Sequence, residues 1–183
     1  MRYAQIRSMD ISNGEGVGVS LFVQGCDRHC FNCFNSETWD FNGGKEWTEE
    51  AKNKFMELID RPYIRRISVL GGEPLAEQNL DEVLSLIKGI RNSFPNKTIW
   101  LYTGYKFEQI KDAFIESKKW LQASWKHSAI IRWEIISNVD VLVDGEYIDE
   151  QKDLTLKWCG SRNQHVIDVK QSIAQNKMVL YCD

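Results

Sequence analysis

Three cysteines within eight residues, Cys26-x3-Cys30-x2-Cys33, constrain this chain more than any other feature. Thiolates so close in sequence can act together only if the backbone delivers them into one tight loop. Val17–Gln24 (VGVSLFVQ) does so: a short apolar run rich in β-branched and aromatic residues, it reads as a buried strand ended by Gly25. The chain has five cysteines, an odd number unlike the even, dispersed set of a disulfide framework. Clustering without the basic-then-apolar leader of a secreted protein points to metal or redox chemistry. Thiolates are soft ligands that select zinc, copper(I) or iron–sulfur centres. Structural zinc wants four closed ligands, usually as two separated pairs, and ferredoxin-type clusters use four cysteines. Here three stand together, while Cys159 and Cys182 each stand alone. The pattern favours an iron–sulfur cluster on three thiolates, with one iron left without a protein ligand; zinc and redox thiols are the alternatives.

The rest of the chain alternates strand and helix signals. Thr48 starts a helix whose first turn carries Glu49 and Glu50 and whose apolar face is Ala51, Phe55, Leu58 and Ile59. Arg66–Leu70 reads as a strand running into Gly71–Gly72–Glu73–Pro74. Asn79 is predicted to cap the next helix, with Glu82 three residues on and Leu80, Val83, Leu84 and Ile87 facing inward. Thr98–Tyr102 is a strand, followed by Thr103–Gly104 and a helix with Phe107, Ile110 and Phe114 on one side. Residues 115–135 read as helical despite weak periodicity. Val139–Val143 is a strand ended by Asp144–Gly145, and His165–Val169 and Met178–Tyr181 are short strand candidates. Such alternation implies βαβ units and a parallel sheet. Five to six strands are too few for a full eight-unit barrel of ~250 residues. The expectation is a single α/β domain over residues 1–183, a partial (open) βα barrel of about five to six mostly parallel strands, with a simple open sheet as the alternative. In either, the cysteine loop, the Gly71–Glu73 loop, Thr103–Gly104 and Asp144–Gly145 follow strands and share one face.

Charge narrows the function. With 23 Lys+Arg against 26 Asp+Glu, the formal net charge is −3 and the basic residues are scattered. Nothing in that balance suggests a general nucleic-acid binder, which usually shows a concentrated basic face, and no nucleic-acid partner is expected. No apolar run approaches the ~18 residues that cross a bilayer, so a cytoplasmic, membrane-free location is expected. The seven tryptophans, among them Trp120, belong mostly to the core, with some available to a partner surface.

The cysteine spacing after an apolar strand resembles the radical S-adenosylmethionine superfamily. The surrounding residues sharpen the resemblance: Asn13–Gly14, Leu21–Phe22–Val23–Gln24–Gly25–Cys26, Cys33–Phe34–Asn35, Thr38–Trp39, Gly71–Gly72–Glu73–Pro74–Leu75, Trp100-x-Tyr102–Thr103–Gly104–Tyr105, Val139–Gly145 and Gly160–Ser161-x-Asn163–Gln164. Together they resemble the activating proteins of anaerobic (class III) ribonucleoside-triphosphate reductase, in order and over nearly the whole chain. Two departures stand out. Where the family pattern has Arg two residues after Asn-Gly-Pro-Gly, this chain has Gly18, and where it has Arg before Gly-Ser, this chain has Cys159.

The resemblance implies a [4Fe-4S] cluster on Cys26, Cys30 and Cys33, with S-adenosylmethionine chelating the open iron through its amino and carboxylate groups. Reductive cleavage would give a 5′-deoxyadenosyl radical, which abstracts hydrogen from a glycine of the large anaerobic ribonucleoside-triphosphate reductase subunit. It also implies a flavodoxin-type electron donor. Gly71, Gly72, Glu73, Thr103 and Asn13 are the expected cofactor-binding residues, and Glu73 is suited to accept from the cofactor's ammonium. Asp144, Ser161, Asn163 and Gln164 are candidates for cofactor or partner contact. No catalytic side chain is expected beyond cluster and cofactor, and Cys159 and Cys182 are given no ligand role. Other readings are a pyruvate formate-lyase activase-like enzyme, a small-molecule synthase, or a zinc-stabilised binding module.

Overall fold

A computed structural model describes residues 1–119 and 125–181; Trp120 and Cys182 lie outside the described residues. The strands are β1 (Arg2–Asp10), β2 (Gly18–Val23), β3 (Lys45–Glu46), β4 (Arg66–Gly71), β5 (Thr98–Tyr102), β6 (Val141–Asp144) and β7 (His165–Asp168). They form one seven-stranded sheet in the order β3-β1-β2-β4-β5-β6-β7. The four central strands β2, β4, β5 and β6 are parallel, with Phe22 opposite Leu70, Val69 opposite Leu101, and Tyr102 opposite Val143. Both flanks are antiparallel: β1 on β2, β3 on β1, and β7 on β6. The sheet thus has seven strands where five to six were expected, and parallel pairing is confined to its middle. The additions are β1 and β3, whose mixed polar sequences serve a mostly exposed flank and so lack an apolar pattern.

Helices α1 (Glu49–Asp60), α2 (Leu80–Ser93), α3 (Phe107–Ser117), α4 (Lys126–Ser137) and α5 (Val169–Gln175) supply the crossovers and the C-terminal cover. Thr48 caps α1 as expected, its hydroxyl accepting from Ala51 N at 3.2 Å. Asn79 does not cap α2 with its side chain. It is buried and its amide donates to Gln24 O (3.1 Å) and Glu73 O (3.0 Å), joining the ends of β2 and β4. Helix α4 accounts for the helical reading of the described part of 115–135 downstream of α3. Met178–Tyr181 forms no strand beyond a single bridge, Ile167 to Leu180.

One apolar cluster unites the helices with alternate strand residues: Phe55 and Ile59 of α1, Val83 and Ile87 of α2, Phe107 and Ile110 of α3, and Ile135 of α4, packed on Leu21, Val69, Leu101 and Leu142. Period-two alternation sends the intervening residues to the other face. There Trp100, Val141, Val143 and Val166 make a smaller cluster with Tyr102, Trp158 and Tyr181. Helices therefore cover one face, and the other lines a cavity. Among the described residues no helix is long and apolar enough to cross a membrane.

Candidate active site at the C-terminal ends of the parallel strands

The cavity has a volume of about 560 Å³ and opens where β2, β4, β5 and β6 end. Cys26, Cys30 and Cys33 all line it, as do Gly71, Gly72, Glu73, Thr103, Asn13 and Gln164. The cysteine loop starts at the buried end of β2, where Gly25 N and Cys26 N donate to Thr38 O (2.8 Å) and Trp39 O (3.0 Å). Cys33 N returns to Cys30 O at 3.1 Å. The turn needs left-handed backbone at His29 (φ 48°) and Asn32 (φ 54°), the residues just before the second and third cysteines. Asparagine tolerates this region well, and Asn32 adds a 2.9 Å hydrogen bond to Asp149. His29 is not turned into a fourth ligand position; its ring stacks on Trp39 at 4.6 Å.

The donor set fits an iron–sulfur cluster. Asn35 N donates to Cys33 Sγ at 3.4 Å, a contact of the kind that tunes cluster potential. Burial, aided by the Glu73 carboxylate, pushes the Cys26 thiol up to about 11, against the pull of the Arg28 and His29 amides. Burial also raises Cys30. Both would have to ionise to hold a cluster, a change that a multivalent cation would favour. Among the described residues no three His, Cys, Asp or Glu side chains close on a single point as around one ion. A multi-iron cluster held by these cysteines would not require such convergence on one point, since each thiolate could take its own iron.

The Gly71–Glu73 loop is shaped by its neighbours. Gly71 has φ 109°, and a Cβ there would lie 2.7 Å from Phe22 Cα; at Gly72 it would lie 2.4 Å from Gly25 O. Glycine is required for the close approach of this loop to the start of the cysteine loop, sealed by Glu73 N to Gly25 O at 2.7 Å. Glu73 is buried, and its carboxylate accepts from Leu75 N (2.8 Å), Thr103 Oγ1 (2.7 Å) and Gly104 N (2.7 Å). Burial raises its pKa against those three donors. A carboxylate has about four acceptor positions, so one is left for a ligand.

Asn13 sits in a turn on Asp10, donating to its carboxylate through the backbone (3.1 Å) and the side chain (2.6 Å). The absence of a side chain at Gly18 is filled from the adjacent strand: a Cβ there would lie 2.8 Å from Arg66 Cζ. Arg66 is buried, reaching Asp10 O at 2.6 Å and also bonding Asn13 O and Ser68 Oγ.

The remaining sequence candidates hold loops together. Asp144 accepts from Phe107 N (2.8 Å) and pairs with His165 Nδ1 (2.9 Å), so it fastens α3 and β7 to β6. Ser161 Oγ accepts from Ile148 N, and Asn163 donates to Glu146 O. Gln164 bridges Gly160 N and Gly145 O. Sequence reasoning missed Arg28, which carries no pattern of its own. It lies over the Tyr105 ring at 3.8 Å and pairs with Glu146 at 2.7 Å, linking three loops around the cavity.

A family model described as "4Fe-4S single cluster domain" matches residues 12–167. The chain is 36% identical to the anaerobic ribonucleoside-triphosphate reductase-activating protein of Salmonella typhimurium over 168 residues, 91% of this chain and 97% of that protein. The protein of the same name from Escherichia coli is 34% identical, with 91% and 97% covered. That from Vibrio cholerae is 34% identical, with 90% and 96% covered. The chain belongs to the anaerobic ribonucleoside-triphosphate reductase-activating protein family. In this chain the Gly160–Gln164 segment is the knot that ties residues 160–164 to 145–148.

Proposed function

We propose that this chain is a radical S-adenosylmethionine activase that generates a glycyl radical on anaerobic ribonucleoside-triphosphate reductase. The observation that carries this reading is the convergence of three thiols from one eight-residue loop on the same cavity as Gly71, Gly72 and Glu73. We assign Cys26, Cys30 and Cys33 as the ligands of a [4Fe-4S] cluster that, with one iron free of protein, supplies the electron for reductive cleavage of S-adenosylmethionine. The protein's part is binding, orientation and exclusion of competing reactions. Glu73 offers its open acceptor position to the ammonium of the cofactor, and Thr103 and Gly104 hold that carboxylate in place. Asn13 forms part of the cavity wall, fixed by Asp10 and Arg66. Asp144, Ser161 and Asn163 keep the surrounding loops in register, and Gln164 stands on the cavity wall itself.

The one-sided helix layer supports the reading of residues 1–183 as a single partial βα barrel, whose concave face receives the cofactor and whose open side admits a macromolecular substrate. A flavodoxin-type donor and a reducing, cytoplasmic setting belong to the same proposal. The test is anaerobic. Reconstituted protein, S-adenosylmethionine and a reductant are added to purified reductase, and the glycyl radical is read by electron paramagnetic resonance. A radical dependent on Cys30 (lost in Cys30→Ala) is expected. Cofactor cleavage without a radical on the reductase would assign the chain to another substrate.

A further inference from the structure

Among the described residues that line the cavity, charge is carried by Arg7, Arg28, Glu73 and Glu146. Three of these are engaged. Arg28 and Glu146 are paired with each other, and Glu73 accepts three hydrogen bonds from the protein. Arg7 is different. Among the described residues no carboxylate forms an ion pair with it.

Its side chain is nonetheless held. Arg7 stands opposite Ser20 in the β1–β2 pairing, on the face of the sheet that lines the cavity. Its Nε donates to Gln5 Oε1 at 3.3 Å, and its guanidinium lies 4.4 Å from the centre of the Phe22 ring. Phe22 in turn backs onto Gly71, whose missing Cβ would meet Phe22 Cα at 2.7 Å. The guanidinium is therefore held on the Phe22 ring, in the lining of the cavity that Gly71 and Gly72 also line, and no hydrogen bond engages its terminal nitrogens among the described residues. A planar fork of this kind, restrained before binding, suits a carboxylate and loses little entropy on binding one.

The ligand proposed for this cavity carries an ammonium, a sulfonium and one carboxylate. Glu73 answers the positive end. We propose that Arg7 answers the negative end: it binds the α-carboxylate of S-adenosylmethionine and so sets the cavity's preference for the intact amino-acid moiety. A carboxylate has two oxygens, so this contact is compatible with the other oxygen serving as an iron ligand. The assignment rests on the functional reading above.

The test compares two ligands on cluster-reconstituted full-length protein. One is S-adenosylmethionine. The other is decarboxylated S-adenosylmethionine, which keeps sulfonium and amine and lacks only the carboxylate. Arg7→Gln is expected to weaken S-adenosylmethionine binding roughly tenfold, the scale of a lost charge-assisted hydrogen bond, and to leave the decarboxylated ligand unchanged. Because Arg7 is exposed, the variant should fold. Equal weakening of both ligands would overturn the proposal and make Arg7 a support for Phe22. Unchanged binding of both would overturn it too. Failure of the wild-type protein to bind either ligand, seen before any variant is made, would instead remove the functional reading and this assignment with it.

Discussion

Arg28 Nη1 and Glu146 Oε1 stand 2.7 Å apart although they are 118 positions apart in sequence, and the contact ties the cysteine loop to the loop after β6. Asn32 to Asp149 (2.9 Å) and the Phe34–Tyr147 ring contact (5.0 Å) run between the same two loops. The Arg28 and Glu146 side chains are 22% and 50% exposed, so the pair is worth under ~1 kcal/mol to global stability. Glu146→Ala should leave the melting temperature nearly unchanged and yet let a chelator strip iron several-fold faster. Stripping at the wild-type rate would show that the cysteine loop holds itself.

Asn32 tests the backbone of that loop. Asn32→Gly keeps the left-handed conformation and should retain full iron loading. Asn32→Val must pay about 1–2 kcal/mol for a β-branched residue at φ 54°. Iron and sulfide per chain after reconstitution measure the difference, and equal loading of both variants would contradict a conformational role.

Glu73 joins structure to ligand binding. Glu73→Ala leaves Leu75 N, Thr103 Oγ1 and Gly104 N without their acceptor, costing about 3 kcal/mol or more. Glu73→Gln keeps one oxygen but sets an amide donor against a protein donor, so it should fall between alanine and wild type in denaturant midpoint. Both substitutions should weaken S-adenosylmethionine binding more than cluster content. Unchanged cofactor affinity in Glu73→Gln would confine this residue to holding the turn.

What the sequence makes legible follows from how local the cause is. β4 and β5 were expected almost to the residue because each is a short apolar run bounded by turn residues. β1 was not, since an outer strand with exposed polar residues such as Gln5, Arg7 and Ser8 shows no apolar alternation. The antiparallel direction of β7 is not encoded in its own four residues; it depends on pairing with β6. The same division holds at the site. The cysteines announce themselves by spacing. Gly72, however, is fixed by a carbonyl 47 positions away in sequence, that of Gly25, and Asn79 turned inward because two carbonyls needed a donor. Arg28 and Arg7 have their meaning only from what the fold places beside them.

Away from the cavity, Asp140 links acidity to stability. Burial raises its pKa, but Arg91 (2.7 Å), Lys170 (2.5 Å) and Ile99 N (2.8 Å) outweigh that and hold it below the ordinary 3.8. A depressed folded-state pKa gives stabilisation that is complete above 3.8 and is lost as pH falls through the folded value. Asp140→Asn should cost about 1–2 kcal/mol at pH 7, with its stability curve meeting that of the wild type below pH 4. Urea midpoints from pH 3 to 7 measure this, and a constant gap across the range would contradict it.

The central claim is that Cys26, Cys30 and Cys33 hold a cluster with one iron open to S-adenosylmethionine. The most direct measurement is anaerobic electron paramagnetic resonance of the reduced, reconstituted protein with and without the cofactor. The expected result is a [4Fe-4S]⁺ signal that shifts when S-adenosylmethionine is added and disappears in Cys26→Ala, Cys30→Ala and Cys33→Ala. A signal indifferent to the cofactor, or a chain that takes up zinc and forms no cluster, would contradict the account.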